Sequence, residues 1–126
     1  MAEDITPGGI LAEVAQCNAR LRYVGEELKR LQPKTDGSVT LLVRQCGKNC
    51  HGCPHPAWRV WRKRYRGDHY LWLAHRLNHP LKSLTRTGRF AENYRQVREY
   101  VEEALRLQKR RAELLKELRR VYRLLA

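Results

Sequence analysis

The chain has 126 residues and a formal net charge of +13, from 26 Lys and Arg against 13 Asp and Glu. The length fits one domain, 1–126, with one modest core, and a hydrophobic content of 42% excludes a compositionally disordered chain. No run approaches the roughly 18 apolar residues of a membrane span, and Met1 to Pro7 has two acids and no basic stretch, so neither a membrane helix nor a secretory signal is expected.

The predicted setting is therefore cytoplasmic, where four cysteines mean free thiols or a metal before they mean disulfides. The charge is unevenly spread. Residues 1–37 hold five basic and six acidic side chains, whereas 56–89 hold nine basic residues and Asp68 as the lone acid. An excess of that kind calls for an acidic partner, nucleic acid first.

Residues 9–32 read as a helix. Ile10, Val14, Cys17, Leu21, Val24, Leu28 and Leu31 follow a strict 3.5-residue apolar repeat, the signature of a coiled-coil seam. Pro7 suits the helix entry, Pro33 and Asp36-Gly37 end it, and Gly25 is a weak point costing about 1 kcal/mol against Ala. Residues 38–45 are β-branched and apolar and read as a strand.

A second strand is expected over 57–65, with Trp58 and Val60 on one face and Arg59, Trp61, Lys63 and Tyr65 on the other. Arg66-Gly67-Asp68 suits a hairpin turn into a third strand over 69–75, where Tyr70 and Trp72 alternate with His69, Leu71, Leu73 and His75. A helix over 70–77 competes with that third strand. Asn78 to Gly88 reads as a connector.

From 89 to 125 apolar residues recur at helical spacing, from Phe90 and Tyr94 to Val121 and Leu125. Arg111 interrupts the stripe, so Lys109-Arg110-Arg111 reads as a kink or an exposed stretch. The expected fold class is α+β: an N-terminal helix, a small three-stranded antiparallel sheet with a Cys/His knuckle between its first strands, and a long C-terminal helix antiparallel to the first. The helices 9–32 and 89–125 could also form a homodimer seam or dock a larger protein.

The chemistry lies between the first two strands. Cys46-Gly47-Lys48-Asn49-Cys50-His51-Gly52-Cys53-Pro54-His55 puts three thiols and two imidazoles in ten residues. Zinc takes four such ligands in a tetrahedron, and the two-residue gap between Cys50 and Cys53 lets one turn present both sulfurs to one ion. The expected ligands are Cys46, Cys50, Cys53 and His55, with His51, His69 or His75 as alternatives for the fourth. A loop of reduced thiols is the competing reading. A catalytic zinc would need a nearby base, and no acid lies between Asp36 and Asp68.

Immediately after the knuckle, Arg59, Arg62, Lys63, Arg64 and Arg66 are interleaved with Trp61 and Tyr65. Guanidinium forks grip phosphate and aromatic faces stack on bases, so these seven residues are the expected nucleic-acid contacts. Trp58 and Trp72 read as core, packed between sheet and helices. The basic residues from Lys109 to Arg123 are mixed with Glu113 and Glu117 and read as a salt-bridged helix surface.

The run Cys46-Gly47-Lys48, Cys50, Cys53 and His55-Pro56, followed by Trp58-Arg59-Val60-Trp61 and a helix bearing Tyr100-Val101-Glu102-Glu103, resembles a family of small proteins of unknown function from prokaryotic genomes and mobile elements. The resemblance spans roughly residues 42–118. The family carries a Cys-Gly-Lys-x-x-Cys-x-Cys knuckle and His-Gly-Pro-Tyr. This chain departs in its cysteine spacing and in having His-Pro-Ala-Trp. The resemblance implies a zinc-knuckle-like hairpin flanked by helices in a mobile-element setting, and the family has no established activity to carry over. The sequence thus predicts a non-enzymatic, zinc-stabilised nucleic-acid-binding protein, DNA before RNA, with a protein–protein adaptor as the alternative.

Overall fold

A computed structural model describes residues 6–32, 35–45, 54–87 and 93–125. Helix α1 runs Pro7–Leu31. Its N-cap is Thr6, extended at φ −75 and ψ 152, whose hydroxyl accepts from the Gly9 N–H at 3.1 Å. Pro7 follows at the first helical position, where its missing N–H costs nothing. All seven residues of the 3.5-residue seam are buried.

Strand β1 is Val39–Arg44, β2 is His55–Arg66 and β3 is His69–Arg76. They form one antiparallel sheet in the order β1-β2-β3. Two further helices follow the sheet: the short α2, Pro80–Thr87, and the long α3, Tyr94–Leu125. The α+β architecture is as expected from the sequence. The third strand is a strand, and the helical alternative over 70–77 is set aside. The supposed connector contains α2, which enters with Pro80 and buries Pro80, Ser83 and Leu84. Its eight residues are too few for a periodic pattern to stand out.

The two long helices are antiparallel, as the partners across them show. Leu31 accepts from Asn93, Arg20 pairs with Glu103, Asn18 with Arg111 and Glu13 with Arg110. The core has two parts. One joins Leu21, Val24 and Leu28 of α1 to Val39, Leu41 and Trp58 of the sheet and Val97 and Val101 of α3. The other, farther from the sheet, joins Ile10, Val14 and Cys17 to Leu114 and Leu118. The 3.5-residue seam is thus covered by the chain's own α3 and sheet.

Two sequence expectations are corrected here. Gly25 lies where α1 packs tightly on β1: a Cβ there would lie 2.6 Å from the Leu41 carbonyl oxygen. Helix and strand can approach this closely because the side chain is missing. Lys109 and Arg110 are exposed as expected, but Arg111 is not, and the helix runs through all three. Arg111 is 6% exposed inside an unbroken α3, its Nε donating to Asn18 Oδ1 at 2.9 Å and its Nη2 to the Pro54 carbonyl at 2.6 Å. At the other end of the stripe, Leu125 is exposed rather than packed.

The end of α1 is clipped to the start of β1 by Gln32, 4% exposed. Its Nε2 donates to the Val39 carbonyl at 2.8 Å and its Oε1 accepts from the Val39 N–H at 2.9 Å. One side-chain amide thereby does for Val39 what a neighbouring strand would.

Candidate nucleic-acid interface

The register decides which side chains share a face. Val39, Leu41 and Val43 stand opposite Val60, Trp58 and Pro56, with Val39, Leu41, Trp58 and Val60 buried under the helices. Trp58 is core as expected, its Nε1 donating to Gln108 Oε1 of α3 at 2.6 Å. The other face carries Thr40, Leu42 and Arg44 of β1, His55, Arg59, Trp61, Lys63 and Tyr65 of β2, and Tyr70, Trp72, Ala74 and Arg76 of β3.

β1 pairs with β2 only over His55 to Val60. Gly37 and Ser38 extend the contact to Trp61, and Asp36 Oδ1 accepts the Lys63 N–H at 2.9 Å. Beyond that, β2 and β3 continue as a two-stranded arm closed by Gly67 at φ 59 and Asp68. A two-residue turn with glycine first fits the right-handed twist of the strands.

The arm has two different faces. On one, Tyr65 faces Tyr70 across the strands with ring centroids 6.1 Å apart, and Tyr70 meets Trp72 edge-on at the same spacing. Lys63 Nζ lies 3.9 Å from the Tyr70 ring centre and within 6 Å of the other two rings. Tyr65 and Tyr70 remain 67% and 50% exposed. On the opposite face stand Arg62, Arg64 and Arg66, among Leu73, Leu71 and His69.

The seven expected nucleic-acid contacts therefore do not form one patch. Arg59, Trp61, Lys63 and Tyr65 share the aromatic face, and Arg62, Arg64 and Arg66 form a basic row behind it. Trp72 belongs to the aromatic face and not to the core. Tyr70, Trp72 and Arg76 were missing from the expected contacts, although the alternation of residues 69–75, set against the hairpin turn, carries the signal that places them.

The charges behave differently on helices and sheet. On the helices, Arg20 pairs with Glu103, Arg30 with Glu27, Arg98 with Glu102, Arg110 with Glu13 and Arg120 with Glu117. The hydrogen bonds from Arg20 and Arg120 hold the carboxyls of Glu103 and Glu117 below the usual carboxylate range. On the arm, Arg62 Nη1 reaches Asp36 Oδ2 at 3.8 Å. Among the described residues no carboxylate lies within 4.0 Å of Arg59, Lys63, Arg64 or Arg66.

Of the four expected zinc ligands, Cys46, Cys50 and Cys53 lie outside the described residues, as does His51. His55 opens β2 and pairs with Arg44, so the chain leaves the sheet and re-enters it at neighbouring points. His55 is the one of the four expected ligands whose place the structure describes. His69 pairs with Arg66 at the arm's tip, about 36 Å along β2 from His55. His75 pairs with Val60, about 17 Å along the strand and on the opposite face. Neither is placed as well as His55 to serve the β1–β2 loop. Among the described residues no group of three His, Cys, Asp or Glu side chains comes together as a metal site. Cys17 is buried in the helical seam, where burial raises its thiol pKa.

Among the described residues no helix is long and apolar enough to cross a membrane. Set against known proteins, the chain matches no protein-family model, no curated protein and no solved structure.

Proposed function

We propose that this is a non-enzymatic nucleic-acid-binding protein of the cytoplasm, its binding surface built on the β2–β3 arm and its β1–β2 loop held by zinc. The observation that carries the reading is the contrast in charge pairing. On the helices glutamates pair with Arg20, Arg30, Arg98, Arg110 and Arg120. On the sheet, among the described residues, Arg59 and Lys63 on the face of the exposed tyrosines and Arg64 and Arg66 on the face behind it have no carboxylate within 4.0 Å. Uncompensated charge repels itself, and a phosphate backbone relieves that repulsion. Zinc on Cys46, Cys50, Cys53 and His55 would fix the loop that joins β1 to β2. DNA is favoured over RNA on the resemblance to mobile-element proteins.

The adaptor reading loses the surface that suggested it, because the apolar seam of α1 is spent within the chain. Binding to a labelled oligonucleotide should fall steeply with salt, and reversing Arg62, Lys63 and Arg64 to Glu should abolish it. A flat salt response, or binding retained by the triple variant, overturns the reading. Metal analysis of protein purified without added zinc should find about one zinc per chain, and removing it should loosen the fold. Metal-free protein with unchanged stability overturns the zinc assignment alone.

A further inference from the structure

One cavity lies at the β1 edge of the sheet, lined by the C-terminal part of α1 and by the sheet face that carries Thr40, Leu42, Arg59 and Trp61. Its volume is about 600 Å³, within the range of pockets that take a small molecule. Lys29 of α1, Arg44 of β1 and Arg59 of β2 bring three cations to it, and Trp61, Leu42 and Ala74 supply its apolar wall. Among the described residues no acidic side chain lines it. Arg76 stands next to Arg59 across the β2–β3 ladder, on the same face. The Arg59 Nε is buried and has no hydrogen-bond acceptor among the described residues.

A buried guanidinium donor without an acceptor, in a cavity of cations, is a site that lacks an anion. We propose that this cavity seats one nucleotide of a single strand, its phosphate among Lys29, Arg44 and Arg59 and its base against Trp61. The inference rests on the nucleic-acid reading and specifies the form of nucleic acid. The same sheet face continues along β2 and β3 to Lys63, Tyr70, Tyr65 and Trp72. The strand leaving the cavity therefore meets a run of aromatic rings. In a duplex the base faces are stacked on one another and only their edges are open. Unpaired bases offer both faces, and aromatic side chains stack on them with little regard to sequence. A face of two tyrosines and a tryptophan around one lysine suits stacking, and the cavity admits a single nucleotide where it would exclude a double helix.

The test measures fluorescence anisotropy with a labelled DNA of about 12 nucleotides, within the usual site size of single-strand binders. It is presented as a single strand, as the duplex of the same sequence, and as single-stranded RNA. The decisive variant is the double Lys29→Met, Arg44→Met, both of whose positions are exposed and leave the core intact. The matched control is Lys109→Met, Lys116→Met, which removes the same charge from the exposed surface of α3. Either single strand should bind more tightly than the duplex. The Lys29/Arg44 variant should weaken single-strand binding about tenfold and flatten its salt slope by about two, one for each lost phosphate contact. The control should change it less than about twofold. Tighter binding to duplex, or equal effects of the two variants, overturns the single-strand site while leaving the nucleic-acid reading standing. No binding to any of the three nucleic acids at low salt overturns both.

Discussion

Replacing Gly25 with Ala tests the packing of α1 on β1, because sequence and structure give it opposite signs. By helix propensity alone, Gly25→Ala should stabilise α1 by about 1 kcal/mol. In the fold, the added Cβ would lie 2.6 Å from the Leu41 carbonyl oxygen, well inside van der Waals contact. The obstruction is backbone, so relief requires α1 and β1 to move apart. That movement pulls at Gln32, whose amide holds Val39 two residues before Leu41. Overpacking of this kind costs about 1–3 kcal/mol, and more where backbone must shift. Because the obstruction is backbone, a cost in the upper part of that range is expected, which leaves a net loss of about 1–2 kcal/mol after the propensity gain. In urea the midpoint should fall by about 0.5–1 M with an unchanged slope. Gly8→Ala is the control, since its nearest neighbour would be Thr6 Oγ1 at 4.0 Å. It should be neutral or stabilising by up to about 1 kcal/mol. A midpoint for Gly25→Ala that rises as Gly8→Ala does would refute the close approach of helix and strand.

Arg111→Met should destabilise the protein by about 2–4 kcal/mol in thermal melts, because Asn18 Oδ1 and the Pro54 carbonyl lose their donor; the relief of a buried charge offsets only part of this. Arg111→Lys should not restore the loss, since one ammonium cannot span both acceptors as the planar fork does. Glu103→Gln should flatten the acid side of the stability profile. The folded carboxyl sits below its ordinary value, so its contribution is present above the unfolded pKa of about 4.3 and is lost as pH falls through the folded one. The Arg20 partner is half exposed, so the unfolding free energy from urea melts across that range should differ from wild type by no more than about 1 kcal/mol. Cys17 should resist a pulse of alkylating reagent in the native state and react in urea, as peptide mass spectrometry would read. Burial both shields the thiol and keeps it protonated.

What the sequence made legible was whatever has a period. The seam from Ile10 to Leu31 and the alternation through Trp58, Val60 and Trp61 each set one side chain after another on a fixed face, and both faces are where the periodicity puts them. Arg111 was misread because the hydrophobic stripe treats any charge as solvent-facing. Only the tertiary fold brings Asn18 and Pro54 to a guanidinium in that position. Gly25 was misread for a similar reason, since propensity knows the helix and not the strand beside it. Trp72 looked like core by size. Its register against Lys63 puts it on the wet face, and register depends on where the turn falls. The cavity was out of reach for the most general reason: Lys29, Arg44 and Arg59 are far apart in the chain and converge only when α1 packs against the sheet.

The two anchors that fix the sheet also explain why so small a protein keeps two long helices. Gln32 ties the end of α1 to the first residue of β1, and Arg111 ties α3 and α1 to Pro54, just before β2 begins. The β1–β2 unit is thus held at its entry to β1 and again at its entry to β2, with the cysteine-rich loop between Arg44 and His55. The hydrogen bonds between Gln32 and Val39 and those from Arg111 to Asn18 and Pro54 set the pose of β2 against the helices, and β2 carries the arm. A surface that stacks bases works best as a rigid platform, because any freedom in the free protein must be given up on binding. Among the described residues Lys29 is the charge the helices bring to the cavity, and many of their arginines are paired with glutamates. Their role in binding is to hold the sheet at one angle, so that the cations of the cavity and the rings of the arm lie along a single face.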